Sequence, residues 1–410
     1  MTTFAALAAA DKMPVRQLLD LASQNPQPAE LRDAISATLA EADIKKGTAV
    51  LGEGPDFLWA FNSASEPSLV IDDGAATLPM TKVPETTIWF ARGQMLSGRS
   101  HKFHYLVNGV ITGGRNDVAA FPPEAYAHPG VPQGTLSEKL IHTSAVYEGM
   151  KSEYWVYVPA QYDPNAPAAL MVWQDGQGHI DRDGPSHTLN VVDSLIHNKK
   201  IPVMIQVFIA PGKVGDRSLR SVEYDTVSDR YVQYLRELLA DVETKYKIRK
   251  DGYSRGITGL SSGGIAAFNA AWFTPDRFSR VLSRIGSFTS IQWHEGVIDG
   301  GNVYPFMIRK EPKRNIRVWL SDGSEDLENE HGSWPLQNLQ MANSLKMRGY
   351  DFHLNFGNGT HNGAWGNTEA PAALAWLWRG YDAAKTEENF EMDPSEKDKP
   401  YFRVKSLNRE

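Results

Sequence analysis

The spacing of apolar side chains changes along the chain. Between residues 15 and 45, Leu31, Ile35, Leu39 and Ile44 recur near helical spacing, and the segment predicts two short helices. From Lys46-Gly47 to about residue 130, short apolar runs (TAVLG, FLWAFN, SLVIDDG, TTIWFA, HKFHYLVNG) are cut by Gly, Pro, Asp and Asn. Runs of that length between turn residues predict an antiparallel β-sandwich. The stretch 113–135, dense in Pro and Gly, predicts a linker.

After residue 140 the rhythm changes again. Strands are predicted at Tyr154–Val158, Ala169–Trp173, Val203–Ile209, Gly256–Thr258, Val281–Ile285, Ile316–Leu320 and Phe352–Phe356. Helices alternate with them at Leu189–Asn198, Val227–Tyr246, Ile265–Phe273, Leu336–Met347 and Ala372–Tyr381. Short strands separated by longer helices predict an α/β fold, a mostly parallel, doubly wound sheet covered on both faces. The expected organisation is a helical leader (1–46), a β-sandwich domain (47–130), a catalytic α/β domain (140–385) and a C-terminal tail (386–410).

Composition narrows the function. Asp and Glu (49) outnumber Lys and Arg (42) and no basic block stands out, which argues against a nucleic-acid or anionic-membrane partner. No apolar run is long enough for a membrane-spanning helix. The absence of Cys excludes disulfides, thiolate metal sites and a cysteine nucleophile. Phe4–Ala10 is a short apolar run that faintly resembles a signal segment, but no Lys or Arg precedes it. The compartment stays open, with secreted or periplasmic favoured over cytoplasmic.

Gly259-Leu260-Ser261-Ser262-Gly263 fits G-x-S-x-G, and a predicted strand precedes it and a predicted helix follows. That setting suits a nucleophile elbow, a turn so tight that its flanking residues must lack side chains. Ser261 is the candidate nucleophile and needs a base. His361, in the loop Gly357–Gly363 after the last strand, is preferred over His331, and His353 lies inside a strand pattern. The acid that would orient the imidazole comes from SDGSED after Ile316–Leu320: Asp326 first, then Asp322, then Glu325. The order Ser, acid, His is that of α/β-hydrolases. Oxyanion donors are expected at the Ser262 N–H and at Gly176 or Gln177, in the loop after Ala169–Trp173.

Other features carry less. His101 and His104, three apart on a strand, face opposite sides, so no metal site is expected. Arg217, Arg220, Glu223 and Asp225 form a charged loop that reads first as an ion-pair network. Trp293, Trp334 and Trp365 fall in predicted loops on the chemical side of the sheet and are candidates for an apolar or sugar-stacking wall. With Asp175, His179 and Arg220 they make up the candidate substrate-binding set.

The segments YWVYVPAQYDP, ALMVWQDGQG, RSVEYDT, GLSSGGIAAFNAAW, SDGSED and GNGTHNGAW resemble the esterase group of α/β-hydrolases that includes enterochelin, feruloyl and acetylxylan esterases and mycolyltransferases. SGRSHKFHYLVNGV is similar to the early-set, immunoglobulin-like domain often joined to them. The resemblance implies Ser261 as nucleophile, Asp326 as acid, His361 as base and the Gly176–Gln177 backbone as the oxyanion loop. It implies a serine carboxylic-ester hydrolase working through an acyl-enzyme, without metal or organic cofactor. The expected substrates are acetyl- or feruloyl-type esters of carbohydrates or plant-derived compounds. A siderophore trilactone esterase, an acyltransferase and a non-catalytic carbohydrate-binding protein remain as alternatives.

Overall fold

The computed structural model describes residues 14–24 and 28–403. The Phe4–Ala10 run and residues 404–410 of the expected tail lie outside them. The chain divides into two compact units, Met1–Pro123 and Glu124–Glu410.

In the first unit, three helices precede the strands where two were expected: Val15–Ser23, Pro28–Thr38 and Glu41–Lys46. Ala40 is extended (φ −65°, ψ 132°) and separates the last two, and Gly47 ends the third at φ 72°. Two four-stranded antiparallel sheets follow. One runs in the order Val50–Glu53, Asp56–Asn62, Ile88–Gln94, Thr81–Lys82. The other runs Ala76–Pro79, Pro67–Ile71, Arg99–Val107, Val110–Ala120.

Strand Asp56–Asn62 explains why FLWAFN reads as an unbroken apolar run. Phe57, Trp59 and Phe61 pack with Leu69, Phe103 and Tyr105 of the second sheet. Leu58 and Ala60 point the other way, against Leu18, Ile35 and Ile44 of the helices. A strand buried on both faces has no polar alternation to show.

The expected linker from residue 113 is overturned in its first part. Residues 110–120 form a strand paired with Arg99–Val107. Gly113 and Gly114 (φ 62° and 115°) sit where the pairing register shifts. A Cβ on Gly114 would come within 2.4 Å of the Phe103 carbonyl oxygen. The glycines mark a bulge in a strand, a composition that also fits a linker.

The second unit is built on a sheet in which Met204–Ile209, Ala169–Gln174, Arg255–Leu260, Arg280–Arg284, Arg317–Gly323 and Asp351–Gly357 are neighbours, all parallel. Lys151–Val158 joins antiparallel beside Met204–Ile209. On one face Leu170, Val172 and Val207 pack with Leu235, Phe268 and Met341 from three helices, Arg230–Lys245, Ser262–Phe273 and Trp334–Met347. On the other, Gly256 leaves room for Met171 and Trp378 to approach the backbone. The helix expected at Ala372–Tyr381 starts earlier, at Gly363, where the Asn362 side chain accepts from the Ala364 N–H, and it contains Pro371. Among the described residues no helix is long and apolar enough to cross a membrane.

Candidate active site

The turn after Arg255–Leu260 is strained. Ser261 has φ 57° and ψ −123°, a conformation that costs a non-glycine residue about 1–3 kcal/mol, and helix Ser262–Phe273 begins directly after it. Two backbone bonds hold the turn. Ser261 N–H donates to the Arg284 carbonyl at 3.0 Å, and Ser287 N–H donates to the Ser261 carbonyl at 3.1 Å. Gly259 is sterically required and Gly263 is tightly packed. A Cβ on Gly259 would lie 2.4 Å from the backbone of Gly263, and one on Gly263 would lie 3.1 Å from Asp175 Oδ2.

His361 lies between the end of strand Asp351–Gly357 and helix Gly363–Leu377. Its Nε2 is 2.8 Å from Ser261 Oγ and its Nδ1 is 2.5 Å from Asp326 Oδ1. The Asp326 side chain is fully covered. Burial opposes its charge, but hydrogen bonds from His361, Asp322 and the Leu327 N–H hold its pKa below the usual carboxylate range. A carboxylate can only accept, so Nδ1 carries the proton and Nε2 is free to accept from the serine hydroxyl.

Backbone ties the acid and base loops together. Ser324 N–H donates to the Gly357 carbonyl at 2.9 Å and Glu325 N–H to the Gly359 carbonyl at 3.2 Å. Of the three acids in SDGSED, Glu325 is exposed and Asp322 is buried behind Asp326. Asp322 accepts from Gly323 N–H (2.7 Å) and Asn338 Nδ2 (2.6 Å). Burial, then the neighbouring Asp326, pushes its pKa far up.

Ser287, which sequence reasoning missed, and Trp334, expected only as part of a substrate wall, touch this row. Ser287 Oγ is 3.2 Å from Ser261 Oγ, and Trp334 Nε1 is 3.1 Å from Ser287 Oγ. The Trp334 ring also meets the His361 ring edge-on, with centroids 5.6 Å apart. Nothing local in GSF or GSW signals these contacts.

In the loop after Ala169–Gln174, Asp175 is left-handed (φ 52°) and Gly176–Gly178 form a short 3-10 turn. A Cβ on Gly176 would lie 2.3 Å from the Ile209 nitrogen, while Gln177 is exposed. Arg220 grips Asp175 with two bonds, at 2.7 and 2.8 Å. Behind it, burial lifts Glu223 to about 7 and Asp225 to about 6, the latter despite hydrogen bonds from Ser221 and Ser262. The expected ion-pair network is thus reduced to Arg220–Asp175 among the described residues: Glu223 accepts from the Gly212 N–H and Asp225 from the Ser221 hydroxyl.

Several candidate binding residues need correction. His179 is not on an open surface: its ring is buried against Trp173, with Nδ1 2.8 Å from Thr188 Oγ1, and burial lowers its pKa to about 3. Trp334 and Trp365 are not in loops but open helices and are buried; Trp365 fills the space that Gly357 leaves. Trp293 alone of the three is exposed, at 56%. The rival His331 is partly exposed beside Glu330, and His353 stacks on Trp319. A cavity of about 580 Å³ lined by Gln161, Tyr162, Ile201 and Trp378 lies at the strand starts and takes in none of these side chains.

No curated protein sequence matches the chain. Among solved structures, the enterobactin esterase of Shigella flexneri, determined with 2,3-dihydroxy-N-benzoyl-serine, is 16% identical. The match covers 82% of this chain and 97% of that one, with a TM-score of 0.53. The ferric enterobactin esterase of Salmonella typhimurium is 15% identical over 79% of this chain and 93% of its own, with a TM-score of 0.51. The feruloyl esterase module of Clostridium thermocellum is 18% identical over 64% and 93%, with a TM-score of 0.48. At these identities the likeness to the two enterobactin esterases is one of fold. Residues 148–377, more than half of the chain, match the model of the family described as "Putative esterase", and this chain belongs to that family of carboxylic ester hydrolases.

Proposed function

We propose that the chain is a serine esterase that works through an acyl-enzyme, with Ser261 as nucleophile, His361 as general base and Asp326 as the residue that orients and charge-stabilises the imidazole. The observation that carries this reading is the continuous hydrogen-bonded row Ser261–His361–Asp326, with the serine on a strained turn. Ser261 Oγ attacks the ester carbonyl while its proton passes to His361 Nε2. The oxyanion is held by the Ser262 N–H at the helix start and by the Gly176 or Gln177 N–H. His361 then gives its proton to the leaving alkoxide, and a water activated by the same imidazole releases the acid.

For substrate we favour acyl or aryl esters of carbohydrates or plant-derived compounds, of the acetyl or feruloyl type. A polyanionic catecholate ester is less well served, because the Arg220 guanidinium beside the site is already paired with Asp175.

The test is hydrolysis of p-nitrophenyl acetate and methyl ferulate by the wild type and by Ser261→Ala. Removing a triad nucleophile costs about 10⁶ in turnover in the subtilisin series. A loss of several orders of magnitude is expected here, and equal rates in the two proteins would refute the assignment. Product appearing on an added alcohol instead of free acid would turn the reading to acyl transfer.

A further inference from the structure

We propose that Ser287 is a positioning residue for the esterase reaction: its hydroxyl, anchored by the Trp334 indole N–H, donates to Ser261 Oγ and turns the Ser261 proton toward His361. The proposal rests on the role given to Ser261 above.

Chemistry at the two ends of the row fixes every proton in it. The Trp334 Nε1 can only donate, so Ser287 Oγ, 3.1 Å away, accepts. The Asp326 carboxylate can only accept, so the His361 proton sits on Nδ1 and Nε2 is an acceptor. The Ser261 hydroxyl then donates to Nε2 at 2.8 Å. Its remaining short contact, to Ser287 Oγ at 3.2 Å, must be accepted by Ser261. The direction of donation is therefore Trp334, Ser287, Ser261, His361, Asp326.

Ser287 is rigidly placed. It is fully buried and Trp334 is nearly so. Its N–H is bonded to the Ser261 carbonyl, and Asn338 Nδ2 holds the neighbouring Gly286 carbonyl at 3.0 Å. Ile285, two residues before it, is left-handed at φ 44° and turns the chain to bring Ser287 under the serine.

The consequence for the reaction is twofold. In acylation one lone pair of Ser261 Oγ forms the new C–O bond and the proton leaves to Nε2, while the Ser287 bond occupies the other lone pair and holds the rotamer. In deacylation the C–Oγ bond breaks, and Ser287 donates to the oxygen that takes the electron pair before His361 returns its proton.

The experiment compares Ser261→Ala, Ser287→Ala, Trp334→Phe, the Ser287→Ala/Trp334→Phe double variant and Ser287→Thr on p-nitrophenyl acetate. Active sites are counted by stoichiometric titration with a p-nitrophenyl phosphonate, so misfolded protein does not enter kcat. Ser287→Ala is expected to lower kcat about tenfold, the upper range for one neutral hydrogen bond, with KM within about twofold. Trp334→Phe should cost less, the double variant should be no worse than Ser287→Ala, and Ser287→Thr should restore most of the rate. A Ser287→Ala kcat within twofold of the wild type, or losses that multiply in the double variant, would overturn the proposal while a dead Ser261→Ala leaves the serine mechanism standing. An active Ser261→Ala would remove both.

Discussion

Asp326→Asn isolates the charge of the acid from its geometry. Asp326 Oδ1 accepts from two donors, His361 Nδ1 at 2.5 Å and Leu327 N–H at 2.6 Å. With the amide oxygen in the same place both bonds are kept; turned the other way, the amide would donate to Nδ1 and put the imidazole proton on Nε2, which lowers the rate further. What disappears is the attraction between the carboxylate and the imidazolium that forms when His361 takes the serine proton. Two unit charges about 4 Å apart at an effective dielectric of about 20 interact by about 4 kcal/mol. Because the imidazolium exists only beyond the ground state, that energy falls on the barrier and corresponds to about 10³ in rate. Screening does little, since the Asp326 side chain is fully covered. The assay is kcat/KM on p-nitrophenyl acetate at neutral pH, with thermal melting measured alongside. Asp322→Asn is the control. Asp322 is buried behind Asp326 and takes no part in the His361–Asp326 bond, so less than a tenfold loss is expected. A loss under tenfold for a folded Asp326→Asn, or an equal loss for Asp322→Asn, would refute the reasoning.

Two further predictions concern the surroundings of the site. Gly259→Ala drives a methyl group into the Gly263 backbone at 2.4 Å and should cost about 1–3 kcal/mol in a melting or urea experiment. It should also lower esterase activity about a hundredfold by displacing the serine, and full activity in this variant would contradict the close-packed turn. Glu223→Gln tests the buried carboxyl, which burial and then Asp175 hold at about 7 against an ordinary 4.5. The folded value is the higher one, so the stability from the protonated form is present below about 4.5 and is lost as pH rises through about 7. Glutamine does not ionise. Urea unfolding at about pH 5 and about pH 8 should therefore show the balance moving toward Glu223→Gln by on the order of 3 kcal/mol, and a difference constant with pH would rule the shift out.

The parallel sheet was legible because its strands are short, apolar runs separated by longer helical patterns, and each observed strand overlaps its predicted run. The serine turn was legible for a local reason: three glycines around Ser261-Ser262 have few other uses between a strand and a helix. Choosing among Asp322, Glu325 and Asp326 was harder, because the answer depends on how Gly323 packs against Gly359, a contact between distant segments. Ser287 was invisible for the same reason, and the contact that Trp334 makes with it was too, since Ser287 follows one strand and Trp334 opens a helix after another. Trp365 was misplaced because its helix starts nine residues before the predicted one, capped by Asn362. Gly113-Gly114 shows the converse failure, where a bulge and a linker share one composition.

The two backbone bonds between residues 324–325 and the carbonyls of 357 and 359 make the acid and base one cassette. Main-chain bonds survive replacement of the side chains at 324 and 325, so the sequence there can drift without detuning the pair. The serine arrives from a separate strand and meets that cassette directly at His361 Nε2. Redesign of this enzyme thus has a natural seam: loops on the serine side can be recast for new esters while the relay behind them is inherited whole.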